Sequence, residues 1–136
     1  MLATLSVRVA PEAERVAIDA ALESRASLIV ANMLALPPYP MTMVLAREHA
    51  TLPHEEDLEA VRATAARAAA AGIETQLLRV STRRPVKAML ELTREREVGL
   101  LVFGPDTALL PRWRRWATAR TIRREATCLV WIAPDA

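Results

Sequence analysis

Cysteine, lysine and side-chain amides are almost missing from this chain, and glycine is scarce. Cys128 is the only cysteine, which excludes an internal disulfide and any metal cluster built on paired thiolates. His49 and His54 are the only histidines, with no further Cys or His at metal-ligand spacing, so no metal is expected. Asn32 and Gln76 are the only side-chain amides, and Lys87 is the only lysine, leaving arginine to supply 17 of the 18 basic residues. The uninterrupted apolar runs are strand-sized, such as Leu100 to Phe103, far short of the roughly 20 residues a membrane span needs. There is no long apolar leader with a cleavage site, so a cytoplasmic location without membrane contact is expected. A net charge of +2 argues against a dedicated nucleic-acid binder. Nor is there a Ser-His-Asp order, a paired-carboxylate motif or a phosphate-loop lysine, so turnover is not expected. Cys128, where a strand enters the core, reads as an inert buried thiol.

What is present is periodicity. The 136 residues suffice for one domain, 1–136, with one full core. Leu2 to Val9 reads as a strand, because Leu5, Val7 and Val9 alternate with Thr4, Ser6 and Arg8. Pro11 suits the first position of a helix reaching about Arg25, with Ala13, Val16, Ala17, Ala20 and Ala21 on one face. Ser27 to Leu36 holds a buried-type strand at Leu28-Ile29-Val30. Four prolines between Ala35 and Pro53, around an apolar stretch at Met41 to Ala46, predict a long irregular loop. Glu55 to Ala71 is a helix with Leu58, Val61, Ala65 and Ala68 inward, stopped by Gly72. A third strand covers Ile73 to Val80. Pro85 opens a helix to about Glu97 with Val86, Met89, Leu90 and Thr93 on one stripe, and Val98 to Gly104 is a fourth strand. A basic helix over Pro111 to Ala126 leads to a fifth strand, Cys128 to Ala133. Strands alternating with helices imply a parallel sheet covered on both faces, an α/β fold.

Gly104 ends an apolar strand, where parallel sheets place ligands and where glycine lets backbone approach a phosphate. The block Pro85-Val-Lys-Ala-Met-Leu-Glu-Leu-Thr-Arg-Glu-Arg-Glu-Val-Gly-Leu-Leu-Val-Phe-Gly104 and the ending Arg123-Arg-Glu-Ala-Thr-Cys-Leu-Val-Trp-Ile-Ala133 resemble the universal stress protein family. That resemblance implies a Rossmann-like, adenine nucleotide alpha hydrolase-like fold: a five-stranded parallel sheet in the order 3-2-1-4-5 with helices on both faces. It also implies a homodimer through the last strand, Leu129, Val130, Trp131 and Ile132, whose apolar edge would otherwise be exposed. Nucleotide-binding members of the family carry G-x2-G-x9-G and then Ser or Thr after the fourth strand. Here the corresponding residues are Gly104-Pro-Asp-Thr107, then Ala117-Thr118, so only Gly104 and Thr118 fit. Pro105 removes an N–H donor, and Asp106 brings negative charge to the phosphate position. The family aspartate at the end of strand one is absent too, since Val9 is followed by Ala10 and Pro11, with Glu12 and Glu14 beyond.

The resemblance thus points to a stress-response domain acting by dimerisation and by partner or ligand binding, without ordinary ATP binding and with no cofactor required. The alternative it implies is an ATP-, ADP- or AMP-binding module with an altered loop, its candidate residues being Val9, Ala10, Met33, Gly104, Thr107, Arg114 and Thr118. A further alternative is an anion or nucleic-acid contact through the segment 112–124, which holds six arginines in thirteen residues together with Trp113 and Trp116. Trp113 lies about half a turn from Ile122 in helical phase, so the two cannot face one core. Three explanations stay open for these residues: they cover apolar surface, they form a dimer contact, or they bind anions.

Overall fold

A computed structural model of the chain describes residues 1–5, 7–35, 54–106 and 112–134. The proline-bearing loop expected between 36 and 53, and Thr107, lie outside the described residues. Five strands, β1 (Leu2–Thr4), β2 (Leu28–Ala35), β3 (Thr75–Thr82), β4 (Leu100–Phe103) and β5 (Leu129–Ile132), alternate with four helices. These are α1 (Pro11–Ser24), α2 (His54–Ala70), α3 (Pro85–Glu95) and α4 (Arg112–Glu125). The strands form one sheet in the order β3-β2-β1-β4-β5, with every pairing parallel.

Strand parity divides the core in two. Leu2, Leu28, Val30 and Val102 pack with Ala13, Ala17 and Ala21 of α1 and with Val61 and Ala68 of α2. Ala3, Ala31, Met33, Leu101 and Phe103 point the other way, onto Met89 and Leu90 of α3 and Ile122 of α4. Of the helical stripes expected from periodicity, Ala13, Ala17 and Ala21 of α1, Val61 and Ala68 of α2, and Met89, Leu90 and Thr93 of α3 are buried, whereas Val16, Ala20, Leu58, Ala65 and Val86 are half-buried. An alanine seam has little bulk, so α1 lies close to the sheet.

Helix ends follow local chemistry. Pro11 and Pro85 each occupy the first turn, where a missing N–H costs nothing. Beyond α2, Gly72 takes φ +89°, and the Ile73 N–H reaches back to the Ala68 carbonyl at 3.3 Å. Arg25 and Glu97 adopt the same left-handed turn at φ 54° and 51° with no glycine to ease it.

One expected element is corrected. The alternation from Leu2 to Val9 predicts an eight-residue strand, but β1 ends at Thr4. The Thr4 hydroxyl donates to the Val7 carbonyl at 2.7 Å, turning the chain out of the sheet. Val9 then returns as an isolated antiparallel bridge to Pro105, so its side chain is buried without belonging to a strand.

Candidate functional site

From β1 the chain builds outward to β2 and β3, then crosses over to β4 and β5. The order reverses between β1 and β4, so the crevice beyond their carboxyl ends is the topological switch point where such sheets bind ligands. Its walls are the β1–α1 connection, residues 7–10, and the residues that follow β4, Gly104, Pro105 and Asp106.

The backbone donors of this wall are already spent. The Gly104 N–H donates to the Ala3 carbonyl at 3.0 Å, continuing the ladder one residue past β4. Pro105 has no N–H, and the Asp106 N–H donates to the Arg8 carbonyl at 2.8 Å. On the facing wall, the Ala10 N–H donates to the Gly104 carbonyl at 2.9 Å. Three consecutive positions after β4 thus present no free amide to an anion, whereas a phosphate cradle depends on several such amides converging.

Gly104 has a packing reason to be glycine. A Cβ built on it would fall on the Ala13 methyl, with the Ala13 Cα 3.5 Å away. The close approach of α1 to the end of β4, allowed by the alanine seam, requires the bare backbone.

Charged groups at the crevice pair within the chain. Arg8 Nε lies 3.6 Å from the Asp106 carboxylate and 3.8 Å from that of Asp57, in the first turn of α2. At these distances, with Arg8 half exposed, the pairs are weak, yet they set two carboxylates and one guanidinium at the mouth. Arg67 of α2 grips Glu14 of α1 with three hydrogen bonds, Nε donating at 3.1 and 2.9 Å and Nη2 at 2.6 Å. Burial pushes the Glu14 carboxyl upward, but the hydrogen bonds from Arg67 and Thr64 and the Arg67 charge outweigh it and hold Glu14 below its ordinary value. The same hydrogen bond raises Arg67.

The residues expected from sequence are only partly brought together. Val9, Ala10 and Gly104 meet at the crevice. Met33 does not join them: it is buried in the α3/α4 half of the core, whereas Val9 belongs to the α1/α2 half. Arg114 is exposed and Thr118 half buried, one turn apart on α4. Thr107 lies outside the described residues.

Two residues were not singled out from sequence. Arg8 looks like the polar half of a strand alternation, and its partners are far away in the chain. Asn32 does carry a signal, being an amide inside the apolar run Leu28-Ile-Val-Ala-Asn-Met-Leu34. It pairs in register with Thr4, the last residue of β1. Its side chain is 1% exposed, and its Oδ1 has no hydrogen-bond partner among the described residues. A buried carbonyl left unpaired costs about 1–3 kcal/mol.

Comparison with known proteins agrees with this architecture. A structure of a universal stress protein in complex with cAMP superposes with a TM-score of 0.67 at 23% identity, covering 100% of this chain and 98% of that one. A universal stress protein family member from Burkholderia pseudomallei gives 0.65 at 18% identity, covering 98% and 96%. The Archaeoglobus fulgidus protein in complex with dAMP gives 0.62 at 16% identity, covering 96% and 94%. No curated protein sequence matches significantly. The family model for universal stress proteins matches residues 2–134, nearly the whole length, and the chain therefore belongs to the universal stress protein family.

Proposed function

We propose that this chain is a universal stress protein domain that works by association rather than turnover. In this reading it pairs with a second copy through β5 and does not hold a nucleoside triphosphate in the manner of its nucleotide-binding relatives. The observation that carries the second half is the amide account at 104–106: one N–H in the ladder, one replaced by proline, one given to Arg8. A triphosphate beside 104–106 would meet the Asp106 carboxylate and no free amide of these three residues.

Pairing is supported by the sheet edge. Among the described residues β5 has no neighbour beyond it, Leu129 is 75% exposed, and Val130, Trp131 and Ile132 are half buried. An apolar edge with unpaired backbone groups is a template for a second strand. Sizing with light scattering at tens of micromolar should give twice the 15.0 kDa chain mass, and Leu129→Arg should give the single mass; a monomeric wild type sinks the pairing.

A second reading has its own support. Structures of relatives carry cAMP and dAMP, each with one phosphate, and a monophosphate needs fewer donors than a triphosphate. The unpaired Asn32 Oδ1, level with the end of β1, is suited to accept from a ligand N–H. In this reading Gly104, Arg114 and Thr118 contribute to an altered site. It fails if Arg114→Ala and Thr118→Ala leave a measured AMP affinity unchanged.

A further inference from the structure

We propose that the outer face of α4, carrying Trp113, Trp116, Arg120, Arg123 and Arg124, binds single-stranded nucleic acid. Trp113 and Trp116 are 72% and 64% exposed, so they do not cover apolar surface of the described residues. Indoles left in water to that extent mark a contact surface. Three residues apart on a helix, they are neighbours on one face, with roughly 5–6 Å between their Cβ atoms. Arg120, Arg123 and Arg124 are exposed on the same helix, and the Arg120 guanidinium sits 5.4 Å from the centre of the Trp116 ring.

The second observation is the division of charge across the sheet. On one face, α1 has four acids against one arginine and α2 four against two, a balance of −5. On the other, α3 is neutral and α4 has six arginines against Glu125, a balance of +5. The chain total of +2 averages these faces and conceals the separation. A polyanion is drawn to α4 and repelled from the opposite side, which fixes the orientation of approach.

Shape selects among polyanions. The rings stand on a convex helix, so a partner must bring a flat face to them. A single-stranded nucleic acid supplies both parts at once, an unstacked base for each indole and a phosphate close by for the arginine forks. An acidic peptide brings the charge without the flat face, and a duplex keeps its base faces inside the stack.

Fluorescence anisotropy with labelled oligothymidylate and oligouridylate of about 15 nucleotides tests this on the intact protein. Binding should weaken with salt at a log–log slope of about −2 to −3, as expected for three or four phosphate contacts on a single strand. Trp113→Ala and Trp116→Ala should each weaken binding about tenfold, and Arg123→Gln should reduce the slope by about 0.7. Because these side chains are exposed, the variants should keep the wild-type melting temperature. The two oligonucleotides separate DNA from RNA as the source, and binding of either supports the assignment. Absence of binding at about 50 mM salt overturns it. So does binding that survives both tryptophan substitutions, equal affinity for a duplex, or equal affinity for polyglutamate. Self-association lost on Trp113→Ala, without oligonucleotide binding, assigns the face to a second copy instead.

Discussion

Replacing Gly104 by alanine separates a packing glycine from a phosphate-binding one. The new methyl would occupy the position of the Ala13 methyl, which has no rotamer with which to move aside. Helix α1 must therefore back away from β4, breaking contacts along the Ala13, Ala17, Ala21 seam. Overpacking of this kind costs about 1–3 kcal/mol, and the absence of a flexible side chain puts the expected loss near 3. Ala13→Gly alone loses about 1 kcal/mol of helix propensity and about 0.8 for the buried methyl. With both changes the alanine at 104 faces the Ala13 Cα at 3.5 Å, an ordinary contact. The double variant should then be about as stable as Ala13→Gly alone, giving a coupling of roughly 2–3 kcal/mol in a urea-unfolding cycle. Additivity within about 0.5 kcal/mol would contradict a packing role for Gly104, as would a Gly104→Ala protein of wild-type stability.

Two further substitutions test the polar groups around the crevice. Glu14 is held below its ordinary value in the folded chain, so the Glu14–Arg67 pair stabilises fully above about pH 4.3 and loses its effect as pH falls through the folded value. Arg67 is more than half exposed, which limits the pair to about 1 kcal/mol; Glu14→Gln should lower the melting temperature at pH 7 and not at pH 3, and an equal loss at both would contradict the pairing. Asn32→Asp would place a carboxylate where the amide oxygen already lacks a donor, costing about 2–4 kcal/mol at pH 7 and less at pH 5, because burial favours the protonated acid. A urea midpoint that does not depend on pH would show that Asn32 is not closed off from water.

The layered α/β fold is legible in the sequence because its signals are local. Pro11, Pro85 and Gly72 mark helix ends by their own backbone chemistry, and apolar stripes recur at helical spacing within each helix. The crevice is less legible because its determinants are distant pairings. Leu5, Val7 and Val9 keep the alternation of a strand although β1 ends at Thr4, whose hydroxyl bonds to the Val7 carbonyl, a side-chain contact the pattern does not show. Met33 and Val9 fall in opposite halves of the core because register and parity between strands are not written in either strand alone. Gly104 reads as a ligand glycine until its neighbour Ala13, 91 positions earlier, is known. The spent amides at 104 and 106 depend in the same way on Ala3 and Arg8, which no local motif ties to β4.

Calorimetric titration of the purified, nucleotide-free protein with ATP is the most direct check on the amide account at Gly104, Pro105 and Asp106. The expected result is no saturable heat into the millimolar range, with AMP binding no more weakly than ATP, since added phosphates meet Asp106 and find no free N–H at 104–106. A micromolar dissociation constant for ATP, tighter than that for AMP, would contradict it.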